Sequence, residues 1–288
     1  MFIGTAEEIL ASTIGDKYRH NVQLILTSPP FPLNRKKSYG NLTGQAYIDW
    51  LAGMAPIFKD LLTDDGSLVI ELGNAWEQGK PIMSTLPLRA LLALLDGGGF
   101  NLCEQFICYN QARLPTPAQW VNVERIRVKD AYTHIWWMSL SDRPKANNRN
   151  VLKKYSRAMK DLLARQEYNA GKRPSEHHIG AKSFLRDNSG AIPSNVLIFA
   201  NTSARDPYQQ YCRKMNLKPH PARMAFGLAE FFIKFLTEPG EIVLDPFAGS
   251  NTTGAAAEYL GRRWVSFEPL RDYVEGSKGR FAIEGLEI

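Results

Sequence analysis

The chain holds only three cysteines, Cys103, Cys108 and Cys212. No two are spaced as CxxC, so neither a disulfide framework nor a cysteine-rich metal knuckle is expected, and a reducing compartment is favoured. No basic-then-apolar leader opens the sequence. The most apolar run, LPLRALLALL, is short and interrupted by Arg89, so no membrane span is expected. Repeats and low-complexity tracts are missing. Neither GxxxxGK[ST] nor GxGxxG occurs, which argues against a phosphate-cradling loop. The adjacent pair His177-His178 has no cysteine or carboxylate at ligand spacing, and no metal is expected.

What is present suits a globular protein. At 288 residues, 44% hydrophobic and 22% charged, the chain can bury a sizeable core. A formal charge of +6 and a pI near 9.1 point to a polyanionic partner such as nucleic acid.

Strands and helices alternate along the first half. MFIG reads as a short strand, followed by a helix over 5–11 capped by Thr5. VQLIL (22–26) is a buried strand. From Gln45 to Leu62 the apolar residues recur at spacings of three and four, one face of a helix. SLVIEL, a helix over about 84–96, FNLCEQFICYN and AYTHIWWMSL continue the pattern. Between about 145 and 217 the composition turns basic, polar and rich in turn residues, as expected of a surface insertion. Alternation then resumes with an apolar helix (223–237), the strand EIVLD, a helix from Asn251, the strand WVSFE and a last helix. Two such blocks predict an α/β fold with a doubly wound, mostly parallel sheet.

Two strand ends carry the chemistry. The first strand runs into Thr27-Ser28-Pro29-Pro30-Phe31, where two prolines fix the chain direction and remove backbone donors. In the second, EIVLDPFAGSNTTG, a strand ends at Asp245, Gly249 permits close backbone approach, and Ser250, Asn251 and Thr252 suit a helix start. Twenty-three residues after Asp245 the next strand ends in Glu268, the spacing at which an acidic residue bonds ribose hydroxyls in nucleotide-binding sheets. Without a phosphate loop, the ligand that fits is an adenosine lacking phosphates, and S-adenosylmethionine is the usual one. Carboxyl ends of parallel strands share one rim, so both motifs are expected to open onto one crevice. There the Ser28 hydroxyl and the Pro29 carbonyl would hold the hydrogens of an exocyclic base amine, with Phe31 stacked on the ring. The freed nitrogen lone pair could then attack a sulfonium methyl, by orientation and polar preorganisation. A base must leave its duplex to reach such a pocket.

On these residues the sequence resembles the DNA amino-methyltransferases of the permuted beta order, in which (S/D/N)PP(F/Y/W) precedes the cofactor loop and the recognition region lies between. Serine in first position is similar to the cytosine-N4 branch. The segments RKKSYGN, WVNVERIRVKDA, KRPSEHHIG, HPAR, LTEP and GSNTTG resemble its Pvu-type modification methylases of restriction–modification systems. The resemblance implies a methyltransferase Rossmann-like sheet, S-adenosylmethionine as cofactor and double-stranded DNA as partner. It implies a catalytic half over 1–144, a target-recognition insert over 145–217 and a cofactor-binding half over 218–288. It makes Ser28, Pro29, Pro30 and Phe31 the catalytic pocket, and Asp245, Pro246, Phe247, Ala248, Gly249, Ser250, Asn251, Thr252 and Glu268 the cofactor site. Gly4 and Thr5 fall in the family's adenine-contacting turn, with Thr5 in place of an aspartate. His220 to Arg223 would pack near the methionine end. Glu71 occupies the position of an aspartate suggested to relay a proton from the serine; it reads equally as a strand-end carboxylate bonded to loop amides. Arg35, Lys36 and Lys37 follow the catalytic motif and would grip DNA phosphates. In the insert, His177, His178, Lys182 and Ser183 are read as base-edge or phosphate contacts.

Three other readings share these residues: adenine N6 on DNA, amides of proteins or amines of RNA, and an inactive DNA-binding regulator. No Pro-Cys pair exists, so cytosine-C5 chemistry, which needs a cysteine nucleophile, is not expected. A short palindrome such as CAGCTG, a cytoplasmic location, and either a monomer or a homodimer are the remaining expectations.

Overall fold

The computed structural model describes residues 1–31, 42–200 and 206–281. Arg35, Lys36 and Lys37 lie outside them. Contacts divide the chain into two units, Met1–Ala146 with Asn195–Ile288, and Asn147–Ser194.

The larger unit is built on an eight-stranded sheet. Its strands are β1 (Phe2–Ile3), β2 (Val22–Thr27), β3 (Leu62–Gly73), β4 (Asn101–Tyr109), β5 (Tyr132–Ser139), β8 (Val196–Ile198), β9 (Ile242–Asp245) and β10 (Arg263–Glu268), while β6 (Gly171–Lys172) and β7 (His178–Ile179) form a hairpin in the smaller unit. The sheet order is β1-β10-β9-β2-β3-β5-β4-β8. Every neighbouring pair is parallel except those made by β5, which runs antiparallel to both β3 and β4. The expected doubly wound, mostly parallel sheet is therefore present, with one reversed strand that the sequence alternation did not announce.

All six residues of β2 are buried, as a strand covered on both faces requires. Its polar Gln23 is satisfied, donating to the Asp65 carbonyl (3.3 Å) and accepting from Thr63 Oγ1 (3.0 Å). Helices α1 (Ala6–Leu10), α2 (Thr13–Asp16), α3 (Gly44–Leu61) and α4 (Leu86–Gly98) precede β2, β3 and β4. The face of α3 carrying Tyr47, Leu51, Met54, Phe58 and Leu61 joins α4 and the Trp136/Met138 side of β5 in one core. α1 starts with a capping box, Thr5 Oγ1 accepting from the Glu8 N–H and Glu8 from the Thr5 N–H. The alternate side of the strands packs against α7 (Phe226–Leu236), where Phe106 meets Phe232 edge-on at 5.1 Å and Trp137 meets Phe235 at the same distance. Thus Trp136 and Trp137 face opposite layers, following the two-residue period of a strand.

The smaller unit contains α5 (Arg157–Arg165), capped by the Ser156 hydroxyl, and a double backbone bridge between Lys153 and Ala191. It carries ten Lys and Arg against four Asp and Glu, so its residues alone account for the chain's formal +6. The expected insert ran to residue 217. Of its residues, 195–200 and 206–217 cluster with the sheet unit, where β8 pairs with β4 and α6 (Pro207–Lys214) buries Tyr208 and Cys212. The remaining helices are α8 (Thr252–Tyr259) and α9 (Arg271–Ser277).

Candidate active site

The chain order reverses between β9 and β2, so the two strands splay their following loops apart and open a crevice at their carboxyl ends. A direct bond fixes the spot: Thr27 Oγ1, the last residue of β2, donates to Asp245 Oδ1, the last of β9, at 2.6 Å and fully buried. The two motif-bearing strand ends are thereby locked side by side.

Beyond this bond lies a cavity of about 120 Å³ whose wall includes Ser28 to Phe31 on one side and Asp245, Phe247 to Ser250, Thr252 and Glu268 on the other. The cofactor-type loop is held by its own backbone. Phe247 N–H donates to Asp245 Oδ1 (3.1 Å), Ala248 N–H to the Phe267 carbonyl (3.0 Å) and Gly249 N–H to Glu268 Oε2 (3.0 Å). Glu268 Oε1 accepts from Leu270 N–H at 2.9 Å. Each carboxylate oxygen thus has one fixed donor and spare lone pairs at the cavity wall. Gly249 has φ +50, and a side chain there would meet the His220 ring at 3.2 Å. Both the left-handed backbone and the tight contact favour glycine. His220 is itself placed by an edge-on contact with Tyr273 (4.6 Å) and by its N–H donating to Tyr208 OH (2.7 Å). Arg280 ties the loop from behind, donating to the Ser250 carbonyl (2.6 Å) and Oγ (3.0 Å).

Burial dominates the electrostatics. It pushes Asp245 up to about 6 in spite of the bonds from Thr27 and Phe247, and it raises Glu268. It pushes His220 down to about 4, so this ring is neutral at physiological pH.

A second cavity, of about 410 Å³, shares Ser28, Phe31 and Arg223 with the first and has Glu71 in its wall. Its size is in the range of small-molecule sites. Phe31 is seated on Gly73, where a Cβ would lie 2.6 Å from the ring. Glu71 accepts from Thr133 Oγ1 (3.0 Å), and desolvation raises its carboxyl to about 7 against the opposing pull of that bond and of Arg113. Its hydrogen-bond partner is a side chain of β5, not loop amides.

The expected residues are not all placed alike. Ser28, Pro29, Pro30, Phe31, Asp245, Phe247, Ala248, Gly249, Ser250, Thr252 and Glu268 line one cavity, and Glu71 the adjoining one. Pro246 and Asn251 are buried but line neither; the Asn251 amide packs on Gly254 and has no hydrogen-bond partner. Gly4 donates its N–H to the Glu268 carbonyl (3.2 Å), yet neither Gly4 nor Thr5 reaches the cavity wall, and the Thr5 hydroxyl is committed to the helix cap. His177, His178 and Lys182 are exposed and Ser183 half-buried in the smaller unit, with His178 in the β6–β7 hairpin. His220, Ala222 and Arg223 stand in the cavity wall. Sequence reasoning missed Thr27, Thr133 and Arg280. A threonine closing a mostly apolar strand, directly before the Ser-Pro-Pro-Phe motif, was a usable signal for the first; nothing local marks the other two. Among the described residues no group of three His, Cys, Asp or Glu is placed to hold a metal, and no helix is long and apolar enough to cross a membrane.

Comparison with known proteins agrees with this geometry. A family model described as DNA methylase (N6_N4_Mtase) matches residues 22–279. The chain is 44% identical over 283 residues to the Type II methyltransferase M.PvuII of Proteus hauseri, covering 98% of this chain and 83% of the relative. A solved structure of the PvuII DNA methyltransferase (cytosine-N4-specific) superposes with a TM-score of 0.78 at 37% identity, covering 100% of this chain and 87% of that one. The M1.HpyAVI–SAM complex shares the fold at a TM-score of 0.55 and 20% identity, covering 98% of each chain.

Proposed function

The chain belongs to the N6_N4 DNA methylases, and from that premise we infer that it transfers a methyl group from S-adenosylmethionine to N4 of cytosine in DNA. One observation carries the reading: the Ser-Pro-Pro-Phe strand end and the Asp245 strand end, locked by the Thr27–Asp245 bond, line the same cavity. The serine in first position and the likeness to the PvuII DNA methyltransferase, which is cytosine-N4-specific, favour cytosine over adenine.

The residues present fit the cofactor. Glu268, oriented by two backbone N–H groups, suits ribose hydroxyls, and the loop from Asp245 to Thr252, with φ +50 at Gly249, allows close approach of an adenosine. When bound, S-adenosylmethionine supplies a methyl carbon on a positively charged sulfur. Ser28 and the Pro29 carbonyl accept the amino hydrogens of the extruded cytosine, and Phe31, braced on Gly73, stacks on its ring. Diproline rigidity keeps these acceptors preorganised, so little reorganisation is needed during transfer. The methylated amine must shed one proton. Ser28 and Glu71 face one cavity, and a carboxyl near pH 7 is matched to that task.

The Asn147–Ser194 unit, which holds the net positive charge, is the target-recognition region in this reading, with His177, His178, Lys182 and Ser183 as DNA contacts and a CAGCTG-type palindrome as target. Arg35, Lys36 and Lys37 are assigned to phosphates by sequence alone. Modification of one strand at a time needs only one subunit; a homodimer is a separate proposal that sedimentation tests. As a DNA modification enzyme of a restriction–modification system or an orphan one, the protein would act in the cytoplasm. The deciding experiment incubates the protein and methyl-labelled S-adenosylmethionine with duplex DNA, RNA or protein and identifies the modified nucleoside. N4-methylcytosine in duplex DNA is expected; N6-methyladenine alone, or label only in RNA or protein, overturns the reading.

A further inference from the structure

The segment 110–131 joins β4 to β5 and therefore leaves and re-enters the sheet at the catalytic rim, where Asn110 N–H donates to the Ala131 carbonyl at 2.9 Å. The chemistry described above does not use it. Long as it is, the segment is braced. Lys129 Nζ donates to the carbonyls of Gln111 (3.1 Å) and Arg113 (3.3 Å), Asp130 N–H to that of Thr116 (2.9 Å), and Asn122 Nδ2 to that of Pro115 (3.3 Å). These bonds close on both sides of Leu114.

Leu114 is 76% exposed and yet stands in the wall of the cavity that holds Ser28 and Glu71. A leucine so exposed adds little to the core, and the backbone around it is held by two side chains, Lys129 and Asn122, and by the Asp130 backbone N–H. The segment carries Arg113, Arg125, Arg127 and Lys129 against Glu124 and Asp130, a positive balance suited to a polyanion. A base leaving a duplex opens a gap between its neighbours at a cost in stacking and pairing, and apolar side chains on basic surfaces insert between base steps in DNA-bending proteins.

We infer that Leu114 is the wedge that enters the duplex and occupies the space vacated by the target cytosine. The inference rests on the methyltransferase reading, and it commits this rim to duplex DNA. Leu114 acts on the reaction by holding the base out, as a positioning residue.

The test compares wild type with Leu114→Ala on two duplexes that carry the site mapped by sequencing N4-methylcytosine in DNA from expressing cells. In one the target cytosine faces guanine; in the other it faces an abasic position, which removes the pairing that the wedge must replace. Single-turnover methyl transfer by the variant should fall at least about tenfold on the paired duplex and return to within roughly threefold of wild type on the abasic one. The thermal midpoint should not move, because the side chain is exposed. An equal deficit on both duplexes, or none on the paired one, overturns the wedge. So does a change in sedimentation, which would assign this surface to a second copy of the chain. Expressing cells whose DNA gains no N4-methylcytosine would overturn the methyltransferase reading and the wedge with it, whereas an active wild type beside an unaffected variant overturns the wedge alone.

Discussion

Replacing Glu71 by glutamine should stabilise the protein, and only on the alkaline side. The carboxyl rises from 4.5 to about 7 because the surrounding protein desolvates it more than Thr133 and Arg113 favour its charge. With its proton held more tightly folded than unfolded, unfolding releases that proton between pH 4.5 and 7. Wild-type stability at this site is complete below pH 4.5 and declines as pH rises through 7. At ~1.4 kcal/mol per pH unit, the ionised carboxylate opposes folding by about 3 kcal/mol at pH 8. Glutamine keeps an acceptor for the Thr133 hydroxyl and carries no charge. Glu71→Gln and wild type should therefore unfold alike near pH 4.5 and diverge to about 3 kcal/mol by pH 8, roughly 5–10 °C in midpoint for a chain of this size. Denaturant titrations at four or five pH values measure it. Parallel pH curves for the two proteins would refute the reasoning, since they would mean that Glu71 ionises in its ordinary range. The same substitution should remove the rise in single-turnover rate of the wild type through pH 7, if the carboxylate accepts the proton that the amine sheds.

Ser28→Ala should lower the single-turnover rate by about a hundredfold, as loss of one preorganised polar group at a reacting centre does, with cofactor affinity by calorimetry unchanged; an unaltered rate counts against the site. Asp245→Ala leaves the Thr27 hydroxyl and the Phe247 N–H buried without their acceptor, a penalty of about 1–3 kcal/mol, and S-adenosylmethionine binding should weaken at least about tenfold at the same order of energy. Gly249→Ala meets a left-handed φ of +50 and the His220 ring at 3.2 Å. It should destabilise the chain by about 1–2 kcal/mol, and adding His220→Ala should relieve the contact but not the backbone strain, giving partial recovery in the same unfolding assay.

Much of this was legible because burial writes a period into the chain. The three-and-four spacing from Tyr47 to Leu61 marks α3, and short, mostly apolar runs mark β2 and β9, whose residues are all buried. Reversal of β5 leaves no comparable trace: a buried strand reads the same in either direction, and only the 110–131 connection returning to the same rim sets its sense. The strand that follows the smaller unit was hidden for a related reason. β8 has three residues, only Leu197 of them buried, too short a pattern to separate from polar surroundings. Thr5 stands in a turn where the resemblance implied a cofactor contact, and its hydroxyl accepts from the Glu8 N–H of its own helix, a local bond with almost no loop to close.

The site itself depends on contacts between residues more than two hundred positions apart. Ser28 and Asp245 were each recognisable at a strand end, and the rule that parallel strands discharge at one rim was enough to predict that they meet. What the rule could not supply is why the meeting is exact in position. Thr27 and Asp245 belong to strands whose loops depart in opposite directions, so each loop could shift independently were the strand ends not joined. The buried Thr27–Asp245 bond joins them, and Thr253 Oγ1 adds a second link from α8 to the Leu26 carbonyl at 3.5 Å. A methyl transfer lives on the distance between donor and acceptor atoms, where an ångström decides the rate. The polar residue at the end of the apolar strand is therefore as much a part of the catalytic geometry as the serine that follows it.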